Sequence, residues 1–372
     1  MDRRIFNLIF TLMFLYTFTS KAADMQSYCY VPPFMGQAIS PNVMLVIDVS
    51  GSMSWCAYNP TSGKYGCCNN SNGCGWTYKG TEEGYFDPNK VYRYNGSYWE
   101  ETTGTPATCP KSAYACTWWG CYDVLDKTKL YNGSCLNFLY MSRIDLVRWA
   151  LTGGTLSSCN TGVNTGNYQI NSCDPEAYGT TNNQTSCDSY GCVLESTSGV
   201  KVKVPWARIN QALLFQLKSL NIKPRIGVMF FSGSGVRSKA SVYIGDFTSS
   251  NNYDALNPYK NAITHINVED PDGGTPTAPA LWDVYNYFSQ KNPQYGGLSP
   301  QSGGGDQWKN PMYQCFDLNG DGQCQGSELK LVPCAKNFVI LLTDGQWNIG
   351  GPPSGVNVAC TIDYGFEQYS VD

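Results

Sequence analysis

A single histidine, His265, stands in 372 residues, which excludes any centre built from two or more imidazoles. Charge is sparse as well: Asp, Glu, Lys and Arg make up 15% of the chain and the formal net charge is −4, so there is no basic footprint for nucleic acid. Partners are expected among proteins, glycans or surfaces. No G-x-S-x-G nucleophile string occurs, which weighs against a serine hydrolase. Long apolar runs are also missing beyond the first twenty-odd residues, so no stable membrane span is expected there. The exception is residues 1–22, where Arg3 and Arg4 precede the run Ile5 to Phe18 and the small residues Ser20 and Ala22 follow. That plan is a secretory signal peptide, with an uncleaved anchor as the alternative.

Cysteine, by contrast, is plentiful. All 17 cysteines follow the signal segment, as expected of a disulfide framework made in an oxidising compartment. The count is odd, so one thiol stays free, pairs with another chain, or has its partner outside this sequence.

Residues 23–42 read as an extended lead-in because Pro32, Pro33 and Pro41 disfavour helix. Then Val43 to Ile47 forms an unbroken apolar run between Pro41 and Gly51, the pattern of a strand buried on both faces. Asp48, Ser50 and Ser52 follow at alternate positions. Such a set of oxygens suits Mg²⁺, Ca²⁺ or Mn²⁺, although D-x-S-x-S alone also describes a turn with an Asx cap. Two later stretches bear on the choice. D-G-G-T-P-T-A-P-A, from Asp272, sets Thr275 ahead of an amphipathic run, and F-V-I-L-L-T-D-G, from Phe338, is a second buried-strand pattern ending in Asp344.

In these three parts the chain resembles the von Willebrand factor A domain, a Rossmann-like α/β fold with a mostly parallel central sheet. The resemblance implies a metal-ion-dependent adhesion site in which Ser50, Ser52 and Thr275 bind the cation directly, and Asp48 and Asp344 do so directly or through water. Hydroxyl ligands leave the ion electron-poor and able to accept a partner's carboxylate. The expected activity is binding, not turnover.

The A-like domain is expected to span 43–372, with disulfide-rich insertions at 53–136, 155–203 and 306–334. In the first insertion Trp76, Tyr85, Tyr92, Tyr94, Trp99, Trp118 and Trp119 make either a recognition surface or a mini-core, and the mini-core is preferred. Ser142 to Gly153 reads as a capped helix, with Ser142 and Asp145 at its start and Gly153 as its stop. Pro205 to Leu220 also reads as a helix, with Ile209, Leu213, Leu217 and Leu220 on one side. Arg225 to Phe231 reads as a buried strand, and Tyr253 to Ile266 as a weaker helix. Pro276 to Ser289 is expected to be a helix with Leu281, Val284, Tyr285 and Phe288 inward, and His265 to lie at the surface or in a cap.

Asp317 to Glu328 has the spacing of an EF-hand loop: Asp317, Asn319, Asp321, the carbonyl of Gln323 and Glu328 as ligands, with Gly322 at the sharp turn. Pro311 and Cys315 stand where the entering helix belongs, so an isolated Ca²⁺ loop is expected, locked by disulfides from Cys315, Cys324 or Cys334.

A closer resemblance rests on the signal peptide, P-N-V-M-L-V-I-D-V-S-G-S-M, Y-F-D-P-N-K-V-Y-R-Y, M-S-R-I-D-L-V-R-W-A-L-T-G and L-L-T-D-G-Q-W-N. Together these look like the amino-terminal half of the type IV pilus tip proteins called PilC or PilY. The resemblance implies a protein secreted through the periplasm to the cell surface, with minor pilins or other tip components and a host or abiotic surface ligand as partners. That family adds a carboxyl-terminal β-propeller, so the chain is expected to be a fragment of a longer product or to have its ending replaced by the insertions. The alternative function is a calcium- and disulfide-stiffened structural or mechanosensing element.

Overall fold

Five apolar side chains in succession give β1 (Asn42–Asp48) two faces to bury, and Met44, Leu45, Val46 and Ile47 are all sealed from solvent. The computed structural model describes residues 39–58, 77–117, 120–159, 186–237, 240–247, 258–300, 304–317, 319–321, 324, 326–332 and 334–345. The signal segment, the lead-in to residue 38, Trp76, Trp118, Trp119, Gly322, Gln323 and everything from residue 346 lie outside the described residues.

After β1 the chain forms β2 (Val91–Tyr94), β3 (Trp99–Thr102), β4 (Tyr114–Thr117), β5 (Gly120–Asp123) and β6 (Tyr131–Asn132). Helices α1 (Gly133–Tyr140) and α2 (Arg143–Thr152) precede β7 (Gly191–Glu195) and β8 (Lys201–Pro205). Then come α3 (Trp206–Ile209), α4 (Leu213–Lys218), β9 (Arg225–Ser232), β10 (Gly235–Val236), α5 (Lys260–Val268) and α6 (Thr277–Phe288). β11 (Tyr313–Cys315), β12 (Leu329–Leu331) and β13 (Asn337–Leu342) complete the described strands. None of the described helices is long and apolar enough to cross a membrane.

One sheet has the order β10-β9-β1-β13, with β1 parallel to both β9 and β13. Because successive side chains alternate between faces, Met44 and Val46 join Met229, Phe231 and the α6 residues Ala280, Val284 and Tyr287. Leu45 and Ile47 face the other way, with Val228 and Phe230, towards Ile144 of α2 and Ile263 of α5. Each fully buried apolar side chain here contributes roughly 1.5–3 kcal/mol. The fold is thus mixed α/β with parallel strands between helices.

A second sheet, β6-β2-β3-β8-β7, takes strands from both cysteine-rich excursions, joined where Trp99 pairs with Val202. Its core is aromatic: Tyr85, Phe86, Tyr92 and Trp99 are at most 1% exposed, so for Tyr85, Tyr92 and Trp99 the mini-core holds. Phe86 and Tyr92 meet edge to face with centroids 5.2 Å apart, a favoured geometry for such rings. Disulfides join Cys109 to Cys135, Cys187 to Cys192 and Cys315 to Cys324, and Cys334 is also disulfide-bonded.

Four expectations need correction. The helix read over Pro205 to Leu220 is broken: Val202 and Val204 alternate inward in β8 up to Pro205, and only α3 and α4 follow, with Leu213 and Leu220 exposed. In α6 the inward residues are Ala280, Asp283, Val284 and Tyr287, while Tyr285 is 51% exposed. β13 forms as a strand, yet Phe338, Val339 and Ile340 are exposed. His265 is neither a surface residue nor a cap. It is buried in α5, with its Nδ1–H donating to the Ala240 carbonyl at 2.5 Å.

Candidate metal centre

The parallel register sets Ile47 beside Leu342, so the chain leaves β1 and β13 at the same edge of the sheet. Open α/β sheets place their ligands at that edge. Asp48 is fully buried there. Its Oδ1 accepts the Ser50 N–H at 2.8 Å and its Oδ2 accepts the Thr343 hydroxyl at 2.7 Å. Burial raises the Asp48 carboxyl pKa above its ordinary value, the bonds from Ser50 and Thr343 lower it, and the Asp344 charge raises it further. A buried acid beside a second carboxylate is a place where a cation is favoured.

From Asp48 the polar chain continues outward. The hydroxyls of Ser50 and Ser52 lie 3.2 Å apart, and Ser52 donates to Asp344 Oδ1 at 3.0 Å. Asp344 Oδ2 is held by the Arg143 guanidinium, from the first residue of α2. Asp48, Ser50, Ser52 and Asp344 are therefore brought together from positions almost three hundred residues apart.

Thr275 follows a separate loop that is bonded to this edge through its backbone. The Asp272 N–H donates to the Val49 carbonyl at 2.8 Å, and the Gly51 N–H to the Gly273 carbonyl at 2.9 Å, which ties that loop to the Asp48–Ser52 turn. Gly273 has φ 68°, and a Cβ there would stand 2.9 Å from the Gly233 nitrogen, so a larger residue would push the loop away. Arg237 clamps the same loop through Asp272, Glu269 and the Asp270 carbonyl. Thr275 itself is buried, one residue before the Pro276 cap of α6.

Sequence reasoning passed over Thr343 and Arg143. Thr343 had a usable signal, its place directly before Asp344 at the end of a strand pattern. Arg143 had only its position beside the Ser142 cap.

A second cluster lies between β11 and β12, where Asp317, Asp321 and Glu328 each offer a carboxylate oxygen within 4.8 Å of the others. The turn is ordered by its own bonds: Gly320 N–H donates to Asp317 Oδ1 at 2.8 Å, and Asp321 N–H to Asn319 Oδ1 at 2.8 Å. The Asn319 side-chain amide also donates to Asp321 Oδ2, at 3.0 Å. A strand, β11, precedes this turn, and the Cys315–Cys324 disulfide closes across it. Three converging carboxylates could hold a metal ion.

Residues 76–201 match the family described as PilY1 homolog, small alpha/beta domain. No curated protein and no solved structure matches the chain. The PilY1-type segment contains β2 to β7 together with α1 and α2, so it includes Arg143 and most of the aromatic sheet. The match supports a PilY1-related domain over those residues.

Proposed function

We propose that this chain is a secreted cell-surface adhesion module of a type IV pilus tip protein, in which a von Willebrand factor A-like domain carries a metal-ion-dependent adhesion site. The observation that carries this reading is the continuous polar path Thr343, Asp48, Ser50, Ser52, Asp344 at the carboxyl edge of a parallel sheet. The donor set fits a hard divalent ion: two carboxylates and serine hydroxyls, all oxygen, with one carboxylate destabilised by burial. Asp48, Ser50, Ser52, Asp344 and, from its adjoining loop, Thr275 would hold Mg²⁺, Mn²⁺ or Ca²⁺. The bound ion supplies an electrophilic position for a carboxylate of the partner. The chain's own residues orient that position and exclude water beneath it, since Val49 and Met53 are buried under the turn.

On this reading residues 1–22 are removed during export, the A-like domain begins at 43, and the PilY1-type segment is an insertion between β1 and the rest of its sheet. Partners are minor pilins or other tip components and a surface ligand. The role is binding and not catalysis. Ser50→Ala is expected to weaken Mn²⁺ binding at least roughly tenfold by calorimetry, as loss of metal-site support generally does, and to reduce bacterial attachment to surfaces. Unchanged affinity and unchanged attachment would remove the proposal.

The acidic turn favours a second role, stiffening by calcium. With Ca²⁺ at ten times its dissociation constant, binding to the folded state alone adds about 1.4 kcal/mol to stability. Urea unfolding with and without Ca²⁺ is expected to show that increment in the wild type and to lose it in Asp321→Ala. A calcium increment that survives the substitution would assign the ion elsewhere.

A further inference from the structure

The Asp344 carboxylate already has a cation. Arg143 Nη1 pairs with its Oδ2, and both side chains are largely buried, 18% exposed for Arg143 and 7% for Asp344. The guanidinium is also held from behind: it lies over the Trp55 ring at 5.7 Å, and its backbone N–H donates to the Trp55 carbonyl at 3.0 Å. Trp55 in turn donates its N–H to the Ser52 carbonyl at 2.9 Å, so the arginine, the tryptophan and the serine turn are one connected unit. The base of the arginine is fixed by the capping box of α2, in which Ser142 and Asp145 bond reciprocally. This is a placed residue and not a passing surface charge.

We propose that Arg143 is a further residue of the metal centre, a resident counter-cation that positions Asp344 and sets ion affinity by competing for that carboxylate. This rests on the adhesion-site reading above. A divalent ion taking Asp344 must either displace the guanidinium, which forfeits the ion pair, or share the carboxylate with it, which sets two cations side by side, and either event costs binding free energy. Arg143 belongs to the PilY1-type segment, whereas Asp48, Ser50, Ser52 and Asp344 lie outside it. Ion binding and the position of α2 are therefore linked, and by reciprocity a ligand that shifts α2 changes ion affinity by the same factor as the ion changes that ligand's affinity.

The test titrates Mn²⁺ into the whole chain, following free Mn²⁺ by electron paramagnetic resonance, with the acidic turn disabled by Asp317→Asn so that one site is read. Arg143→Gln is expected to bind Mn²⁺ roughly tenfold more tightly than its parent, within the usual range for coupled sites, and Arg143→Lys to restore the parental affinity. An unchanged or weaker affinity in Arg143→Gln, while Ser50→Ala abolishes binding, overturns the role of Arg143 and leaves the site standing. Binding that Ser50→Ala does not affect overturns the site, and the arginine's role with it. If Arg143→Gln fails to fold, tryptophan emission decides. Mg²⁺ replaces Mn²⁺ there, since paramagnetic Mn²⁺ quenches fluorescence directly, and it is expected to change emission in the parent through Trp55 and to have no such effect in Trp55→Phe. Identical responses in the two chains overturn the proposal.

Discussion

Replacing Asp145 with alanine is expected to lower the free energy of unfolding by about 3–5 kcal/mol, the usual cost of removing one partner from a buried charge pair. Asp145 is fully buried and accepts hydrogen bonds from the Ser142 N–H at 3.0 Å, the Ser142 hydroxyl at 2.7 Å, and the Thr197 N–H and hydroxyl at 2.9 and 2.8 Å. Arg148 Nη1 stands 3.9 Å away and is nearly as deeply buried. Alanine would strand these donors and leave Arg148 with only neutral partners, the Ile266 and Glu269 carbonyls and the Thr197 hydroxyl. By comparison, the Lys127–Asp123 pair is 40% and 22% exposed, and such surface pairs contribute about 0–1 kcal/mol. Urea unfolding of Asp145→Ala, with Lys127→Ala from the exposed pair as the control, measures the difference. A loss below about 1 kcal/mol for Asp145→Ala would contradict the account. Since Asp145 also caps the helix that starts at Arg143, the same variant is expected to disturb ion binding.

The second large effect concerns acid. Burial holds the His265 imidazole at a pKa of about 4, well below its ordinary 6.5, with the Ala240 carbonyl pulling modestly the other way. The native state therefore keeps the ring neutral while the unfolded chain protonates it near 6.5. Stability from this group is intact above about pH 6.5 and falls as pH drops towards about 4, by up to about 1.4 kcal/mol per pH unit. Glu269 and Asp48 oppose this trend, because burial raises their carboxyl pKa values and favours the native state in acid. The comparison that isolates the histidine is His265→Gln against wild type, unfolded in urea at several pH values between 7 and 4 (a window taken from the two pKa values). The variant is expected to show the shallower acid loss. Parallel curves would mean that His265 does not titrate in this way.

Where the sequence signal was local, it carried through to structure. β1 could be read from Val43 to Ile47 because a strand buried on both faces needs no alternation, and α2 from the S-x-x-D cap and the Gly153 stop, which has φ 78°. The acidic turn was legible for the same reason: its Asp and Glu spacing is local, and three of the expected ligands do converge. What could not be read was pairing at a distance. The aromatic sheet joins Trp99 to Val202 across two helices, and periodicity within either stretch gives no hint of it. Pro205 fits a helix start as well as a strand end, and the pairing of β8 with β7 decided between them. β13 reads as apolar from any window, but its exposure depends on which strands flank it. At the proposed metal centre Asp48, Ser50, Ser52 and Asp344 could be picked out by type and order, and the structure brings them together. Arg143 could not be picked out, since nothing in a helix's own pattern says which charge will face a carboxylate two hundred residues later.

The pairing of Asn42 with Asn337 spans 295 positions, and it governs when this protein can fold. At the usual 5–20 residues per second of synthesis, β13 is made roughly 15–60 s after β1, so an apolar strand waits without its neighbour for that time. The aromatic sheet needs only residues 91 to 205 and can close early, with the large sheet following as the slow, late step. A chain folding in this order completes the edge that carries Asp48 and Asp344 last, and a holdase that shields Val43 to Ile47 in the interval would raise its yield.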